Sequence, residues 1–315
     1  MDQFRQIQAF VAVVQAGSFI GAGERLGSTK AMVSRLVLEL EARLGVRLLN
    51  RTTRRQSLTE AGAAYVERCH KILDDLAEAN AAATANTAQP VGRLRINAPV
   101  TFGNLHLAPL WGHFLQQYPQ VNLDVTLSDR VVDLVEEAYD LAIRIARLPD
   151  SSLVSQRLAS TRLVLCASPG YLKQHAAIGQ LEDLSGHAVI AYSYWSGGDT
   201  WSFEGKQGRE EVLTRPRLRT NSGDTCLAAA LAGQGLILQP SFIVGQALGT
   251  GQLHEVLPGL RAPVLDIQAV YPSRQHLSLK VRRMVEFLAA AFAKPVWDTA
   301  HAKPAKKHML QNSQR

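Results

Sequence analysis

Cysteine is scarce in this chain of 315 residues, with only Cys69, Cys166 and Cys226 present. An odd number without paired metal-ligand spacing offers no disulfide framework and no zinc site, so buried free thiols and no metal are expected. A redox-sensing Cys226 is the minor alternative, weakened by its place in a buried-helix pattern with no cationic neighbour in view. No apolar run is long enough to cross a bilayer and no signal-peptide pattern is evident, so a cytoplasmic protein without a membrane partner is expected. The nucleophile-elbow pattern G-x-S-x-G and the zinc-hydrolase pattern H-E-x-x-H are also missing; no catalytic residue and no cofactor is expected. What is present suffices for several cores: 46% of the residues are hydrophobic and 19% charged.

The glycines of GSFIGAGERLG, Gly17 to Gly27, are spaced like a dinucleotide-binding loop. Such a loop leaves a strand and opens a helix, so that a pyrophosphate meets free N–H groups. The preceding FRQIQAFVAVVQAGS instead repeats Phe4, Ile7, Val11 and Val14 at three and four, one face of a helix, which argues against a nicotinamide-dependent enzyme. Ser18 caps a second, short helix reaching about Leu26, where Gly27 supplies a left-handed stop. Thr29 caps a third, in which Val33, Val37, Leu40 and Leu44 form a stripe ending at Gly45. Helix, short helix, tight turn and longer helix predict a helix-turn-helix whose last helix enters the major groove of double-stranded DNA.

Thr29, Lys30, Met32, Val33, Ser34 and Arg35 at the start of that helix are the candidate base-approaching residues. VRLLNRTTRRQSLT then alternates around a basic turn, as a β-hairpin wing does, and offers Arg51, Thr52, Arg54 and Arg55 to phosphates. Residues 1–62 hold nine cations against five acids, a net +4 of the chain's +7. That concentration favours nucleic acid over a merely solvated face.

From Leu58 to about Thr87 an alanine-rich segment without proline predicts one long helix. Tyr65, Cys69, Ile72, Leu76, Ala79 and Ala83 recur at four and three, a seam that needs a partner. Packing within its own domain is the alternative to pairing with a second protomer. Beyond Pro90, strands and helices alternate (GRLRINAP, VNLDVTLSD, YDLAIRIA, AVIAYSY, LILQP, LDIQAVYPS), predicting an α/β domain with ligands at the carboxyl ends of its strands. Pro99, Val100, Thr101 and Phe102 start one helix and Asn221 and Ser222 another. Free N–H groups at both favour an anionic ligand, although Thr101 and Ser222 also fit as plain helix caps. Arg144, Tyr194, Trp195 and Trp201 are weaker candidates, with packing, solvent exposure or an acid partner as their competing roles.

The motifs IQAFVAVVQAGSF, VSRLVLELEARLGVRLLNRTTR and LTEAG, followed by VVDLVEEAYDLAIRIARLPDSSLVSQRL, LVLCASPGYL and AALAGQGLILQPSF, together resemble the LysR-type transcriptional regulators, over nearly the whole chain to about Lys294. Gly21 and Gly23 stand where that family usually has alanine, Ser28 where it has an apolar residue and Leu36 where a polar or basic one is common. Two interior glycines cost about 1 kcal/mol each against alanine. The resemblance implies a winged helix-turn-helix over 1–58, a linker helix for dimerisation over 59–89, and an effector domain over 90–295. That domain would have two lobes of the type II periplasmic-binding-protein kind: lobe I about 90–165 with 270–295, and lobe II about 166–269. The chain would cross between them near Cys166 and Ala269, and Thr101 and Ser222 match cleft-lining positions. A disordered basic tail is expected over 296–315. The implied partners are DNA, a small anionic effector, further copies forming a dimer and tetramer, and RNA polymerase. The competing reading is a metabolite-binding module whose N-terminal domain recruits a partner or binds DNA without sequence preference.

Overall fold

The fold is a computed structural model describing residues 2–51, 56–84, 89–146, 154–205, 208–272 and 277–299; side chains at 51, 56, 78, 79, 81–84, 298 and 299 lie outside that description. The N-terminal unit follows the predicted order: α1 (Gln3–Ala16), α2 (Phe19–Arg25), α3 (Lys30–Leu44), an antiparallel hairpin of β1 (Leu49–Arg51) and β2 (Gln56–Leu58), then α4 (Glu60–Thr84). Ser18 Oγ accepts the Gly21 N–H at 3.0 Å and Thr29 Oγ1 the Met32 N–H at 3.2 Å, so both helix starts are capped by the residues expected. Gly17, Gly27 and Gly45 sit at φ 64°, 58° and 68°, where a side chain would be strained.

Phe10, Val33, Val37, Leu40 and Leu48 are buried together, each contributing on the order of 2 kcal/mol. The carboxylate of Glu41, on α3, accepts the N–H groups of Leu48 (2.9 Å) and Leu49 (3.1 Å), tying the recognition helix to the base of the hairpin. Cys69 and Val66 of α4 close the same core, with Tyr65 packed against it and its ring 6.0 Å from Phe10. The expected dimer seam is therefore corrected at its start. Tyr65 and Cys69 serve their own domain because the first turns of α4 roof the helix-turn-helix, while Ile72 is exposed and Leu76 half-buried. The side chains of Ala79 and Ala83 lie outside the described residues.

The C-terminal unit runs β3 (Gly92–Ala98), α5 (Val100–Phe102), a π-helical turn (Gly103–Leu107), α6 (Ala108–Gln117), β4 (Val121–Leu127), β5 (Leu141–Ala146), β6 (Val154–Ala167), α7 (Pro169–Gln174), a 3-10 turn (Leu181–Gly186), β7 (Val189–Tyr192), β8 (Thr200–Gly205), β9 (Gly208–Leu213), β10 (Pro216–Thr220), α8 (Gly223–Leu231), β11 (Ile237–Pro240), α9 (Ser241–Gly249), β12 (His254–Glu255), β13 (Val264–Tyr271), α10 (Leu279–Ala291) and α11 (Val296–Thr299). One mixed sheet orders the strands β11-β6-β13-β5-β3-β4, with β12 also on β6. β3 is parallel to β4 and β5, whereas β13 is antiparallel to β5 and β6.

β6 changes partners along its length. Val154–Arg162 lie on β13 in the first lobe, and Leu163–Ala167 lie on β11 and β12 in the second. β13 lies on first-lobe partners from Val264 onward, so the changeovers fall at Arg162–Leu163 and just before Val264, a few residues ahead of the expected positions near Cys166 and Ala269. The second lobe has its own core around Leu165, Tyr171, Leu184, Trp201 and Phe203. The linker helix docks on the first lobe through ion pairs of Glu67 with Arg95 and of Asp74 with the buried Lys280.

The tail expectation is corrected at 296–299. There α11 buries Trp297 among Phe102, Phe242 and Phe292, and its indole N–H donates to the Ser160 carbonyl at 2.9 Å. Residues 300–315 lie outside the described residues.

Candidate nucleic-acid interface and ligand cleft

At the start of α3, Thr29, Lys30, Met32 and Arg35 are exposed and Ser34 is half-buried. Val33 is fully buried in the domain core, so its place among the DNA contacts is corrected: the stripe that packs α3 inward includes it. The guanidinium of Arg35 donates through Nε to Glu39 Oε1 at 2.9 Å, and Gln6 Nε2 donates to the other oxygen of Glu39 at 3.3 Å. The Arg35 side chain is 65% exposed despite that ion pair, and arginine meets guanine edges through its guanidinium fork. Glu39 is absent from the sequence-based set; an acid four residues after Arg35 was the available signal. Leu38 is an exposed apolar residue on the same helix. Arg51 is described only as backbone in β1, and Thr52, Arg54 and Arg55 lie outside the described residues.

A cavity of about 550 Å³ opens between the lobes of the C-terminal unit, at the carboxyl ends of β3, β4 and β7. Pro99, Thr101, Phe102, Arg144, Tyr194, Trp195 and Trp201 line it. Phe102 is also a packing residue, in edge contact with Phe242 at 5.2 Å. The Trp195 indole donates to the Thr200 carbonyl at 3.4 Å. Three expected residues are not among the lining. Val100 uses its N–H to donate to Asp129 Oδ1 at 2.8 Å, which fills that helix start with the chain's own carboxylate. Ser222 caps α8 by accepting the Thr225 N–H at 3.2 Å, and Asn221 is exposed beside it; the neighbouring Gly223 lines the cavity in their stead.

Sequence reasoning missed Asp129 and Tyr192, which meet across the lobes: burial first, and then the Asp129 carboxylate, hold the Tyr192 hydroxyl protonated. Both sit just past or at the end of a strand, the position the strand-end rule marks, but neither had a motif to single it out. Arg144 reaches in from β5. Its guanidinium donates to Asn97 Oδ1 (2.7 Å), the Ile143 carbonyl (3.5 Å) and the Val132 carbonyl (3.4 Å), all neutral oxygens. Burial lowers its pKa from the ordinary arginine value, and among the described residues no carboxylate ion-pairs with it.

Two family descriptions match the chain in tandem: "Bacterial regulatory helix-turn-helix protein, lysR family" over residues 4–63, and "LysR substrate binding domain" over 87–293. An uncharacterised HTH-type transcriptional regulator of Haemophilus influenzae is 37% identical, over 89% of this chain and 98% of its own. An HTH-type transcriptional repressor of Pseudomonas aeruginosa is 36% identical over 93% of each chain. Among solved structures, the LysR-type regulator CrgA of Neisseria meningitidis superposes with a TM-score of 0.60 at 33% identity, covering 91% of this chain and 98% of that one. The virulence activator AphB of Vibrio cholerae gives 0.58 at 28%, covering 90% and 98%.

Proposed function

The chain belongs to the LysR family of DNA-binding transcriptional regulators, whose members carry an effector domain and are not enzymes, and from that premise we propose that an anionic group of a small metabolite, received by Arg144, controls how this protein holds its operator. The observation carrying the proposal is a half-buried guanidinium on the cleft wall whose hydrogen-bond partners, among the described residues, are neutral oxygens. A buried cation gains most from an incoming carboxylate, because the pairing replaces a desolvated lone charge with a hydrogen-bonded pair.

On the DNA side, Lys30, Met32 and Arg35 approach base edges, with Thr29 and Ser34 beside them. The wing arginines Arg51, Arg54 and Arg55 and their neighbour Thr52 take phosphates, which fixes register without specifying sequence. Two or four copies place paired recognition helices on half-sites one helical turn or more apart. The ligand acts only to the extent that it binds the alternative arrangements of the assembly unequally, and contact with RNA polymerase then changes with that arrangement.

DNase footprinting on the region upstream of the protein's own gene, across a salt series, is the test. A two-fold-symmetric protected site whose affinity falls steeply with salt is expected. Uniform, sequence-independent protection would replace this reading with that of a metabolite-binding module holding DNA without preference.

A further inference from the structure

We infer that the ligand of the cleft is amphoteric, with an ammonium head received by Asp129 beside Tyr192, Tyr194 and Trp195 and a carboxylate directed to Arg144. The inference rests on the reading of this cleft as the effector site and deepens it. Its first support is the occupied helix start. Asp129 Oδ1 already accepts the Val100 N–H at 2.8 Å, so an anion arriving at Pro99–Thr101 would meet a carboxylate where the helix had promised free donors. The second is the aromatic surround. Tyr192 and Tyr194 stand edge to face, ring centroids 5.9 Å apart, and Trp195 lines the same cavity. Aromatic faces beside a carboxylate attract an ammonium group and offer an anion nothing.

The third support is Arg144, on the same cavity wall and, among the described residues, bonded only to neutral oxygens. The acid nearest to it in charge, Glu137, is engaged in a two-pronged ion pair with Arg130. Of the charged residues lining the cleft, Glu204 and Arg209 are exposed on the β8–β9 hairpin, with Arg209 paired to Glu211 at 2.7 Å, whereas Asp129 and Arg144 are half-buried and, among the described residues, not ion-paired with each other. A purely anionic ligand satisfies Arg144 and is repelled at Asp129; a purely cationic one does the reverse. A molecule carrying both charges satisfies both, and specificity against either half follows from the charge left unmatched.

The test uses the full chain and three probes of one shape: para-(aminomethyl)benzoate, para-methylbenzoate and para-methylbenzylamine, titrated calorimetrically. The zwitterion should bind at least about tenfold more tightly than either singly charged probe. Asp129→Asn should erase its advantage over para-methylbenzoate, and Arg144→Gln its advantage over para-methylbenzylamine. Asparagine keeps an acceptor oxygen for the Val100 N–H, so the Asp129 arm remains decisive even if the Arg144 variant misfolds. Equal binding of para-methylbenzoate and the zwitterion would overturn the inference while leaving the cleft reading intact. So would an unchanged ratio in Asp129→Asn. Binding by none of the three up to roughly 10 mM, too weak to signify on any affinity scale, would overturn both.

Discussion

Gly62, in the first turn of α4, lies against the backbone of the wing: a Cβ there would sit 2.0 Å from the Leu48 carbonyl oxygen. The clash is with main chain held by Glu41, so it cannot be relieved by a rotamer change. Gly62→Ala is expected to destabilise the N-terminal domain by about 2 kcal/mol or more, despite alanine's better helix propensity; urea unfolding followed by the domain's helical signal measures it. A variant as stable as the parent would mean that the wing gives way freely. The same reasoning revises the view of Gly23. Its Cβ would approach the Ser28 carbonyl oxygen to 2.7 Å, so the departure from alanine, which sequence propensity counts as a loss, is matched to the tightness of this particular turn. Caps and left-handed stops at Ser18, Thr29 and Gly45 were legible because they depend on neighbours within a few residues. Asp129 was not, because its partner Val100 lies 29 positions away and the N–H it occupies looks vacant in one dimension.

At the scale of elements, periodicity identified α4 as a long amphipathic helix but not the destination of its apolar face. Heptad spacing records that Tyr65, Cys69, Ile72 and Leu76 share one side; it carries no information on how much of that side the preceding domain covers. The structure divides the stripe, with Cys69 wholly buried at home and Ile72 44% exposed. Placing a charge at the exposed position tests what remains for a second copy. Ile72→Glu is expected to shift the protein toward monomer in light scattering at micromolar concentration, with the melting temperature of the DNA-binding domain little changed. An unaltered mass would place the association surface elsewhere. The hairpin of β8 and β9 went unread even though Trp201 and Phe203 alternate with polar residues between Thr200 and Gly205. A six-residue alternation is a weak signal beside long helical patterns.

At the scale of the whole molecule, three histidines among the described residues share a direction. Burial lowers the pKa of His70 (helped by Arg93), of His106 and of His187 (helped by His175). The folded state therefore favours their neutral form, while the unfolded chain protonates near the ordinary value of about 6.5. Stability from this source is present above that value and is lost as pH falls through it toward the lowered folded pKa values. Asp140, raised by burial, acts oppositely, starting from the ordinary carboxylate range. Melting temperature is expected to fall between about pH 7.5 and pH 5.5, and His106→Gln should flatten the slope. An equally steep fall in that variant would assign the acid sensitivity to other groups.

The two-lobe division could not be derived from strand and helix order alone; it came from family resemblance, because what creates it is the partner exchange within β6. The insertion of β13 between β5 and β6 has a further effect on synthesis. A ribosome releases the N-terminal domain, complete with the turns of α4 that roof it, while the middle strand of the first lobe is still untranslated. Since domains fold as units when their chain is available, the part that grips DNA matures first and the part that senses the metabolite waits for nearly the last fifty residues. A chain stopped at 262 should therefore yield, under limited proteolysis, a resistant N-terminal fragment and a digested remainder.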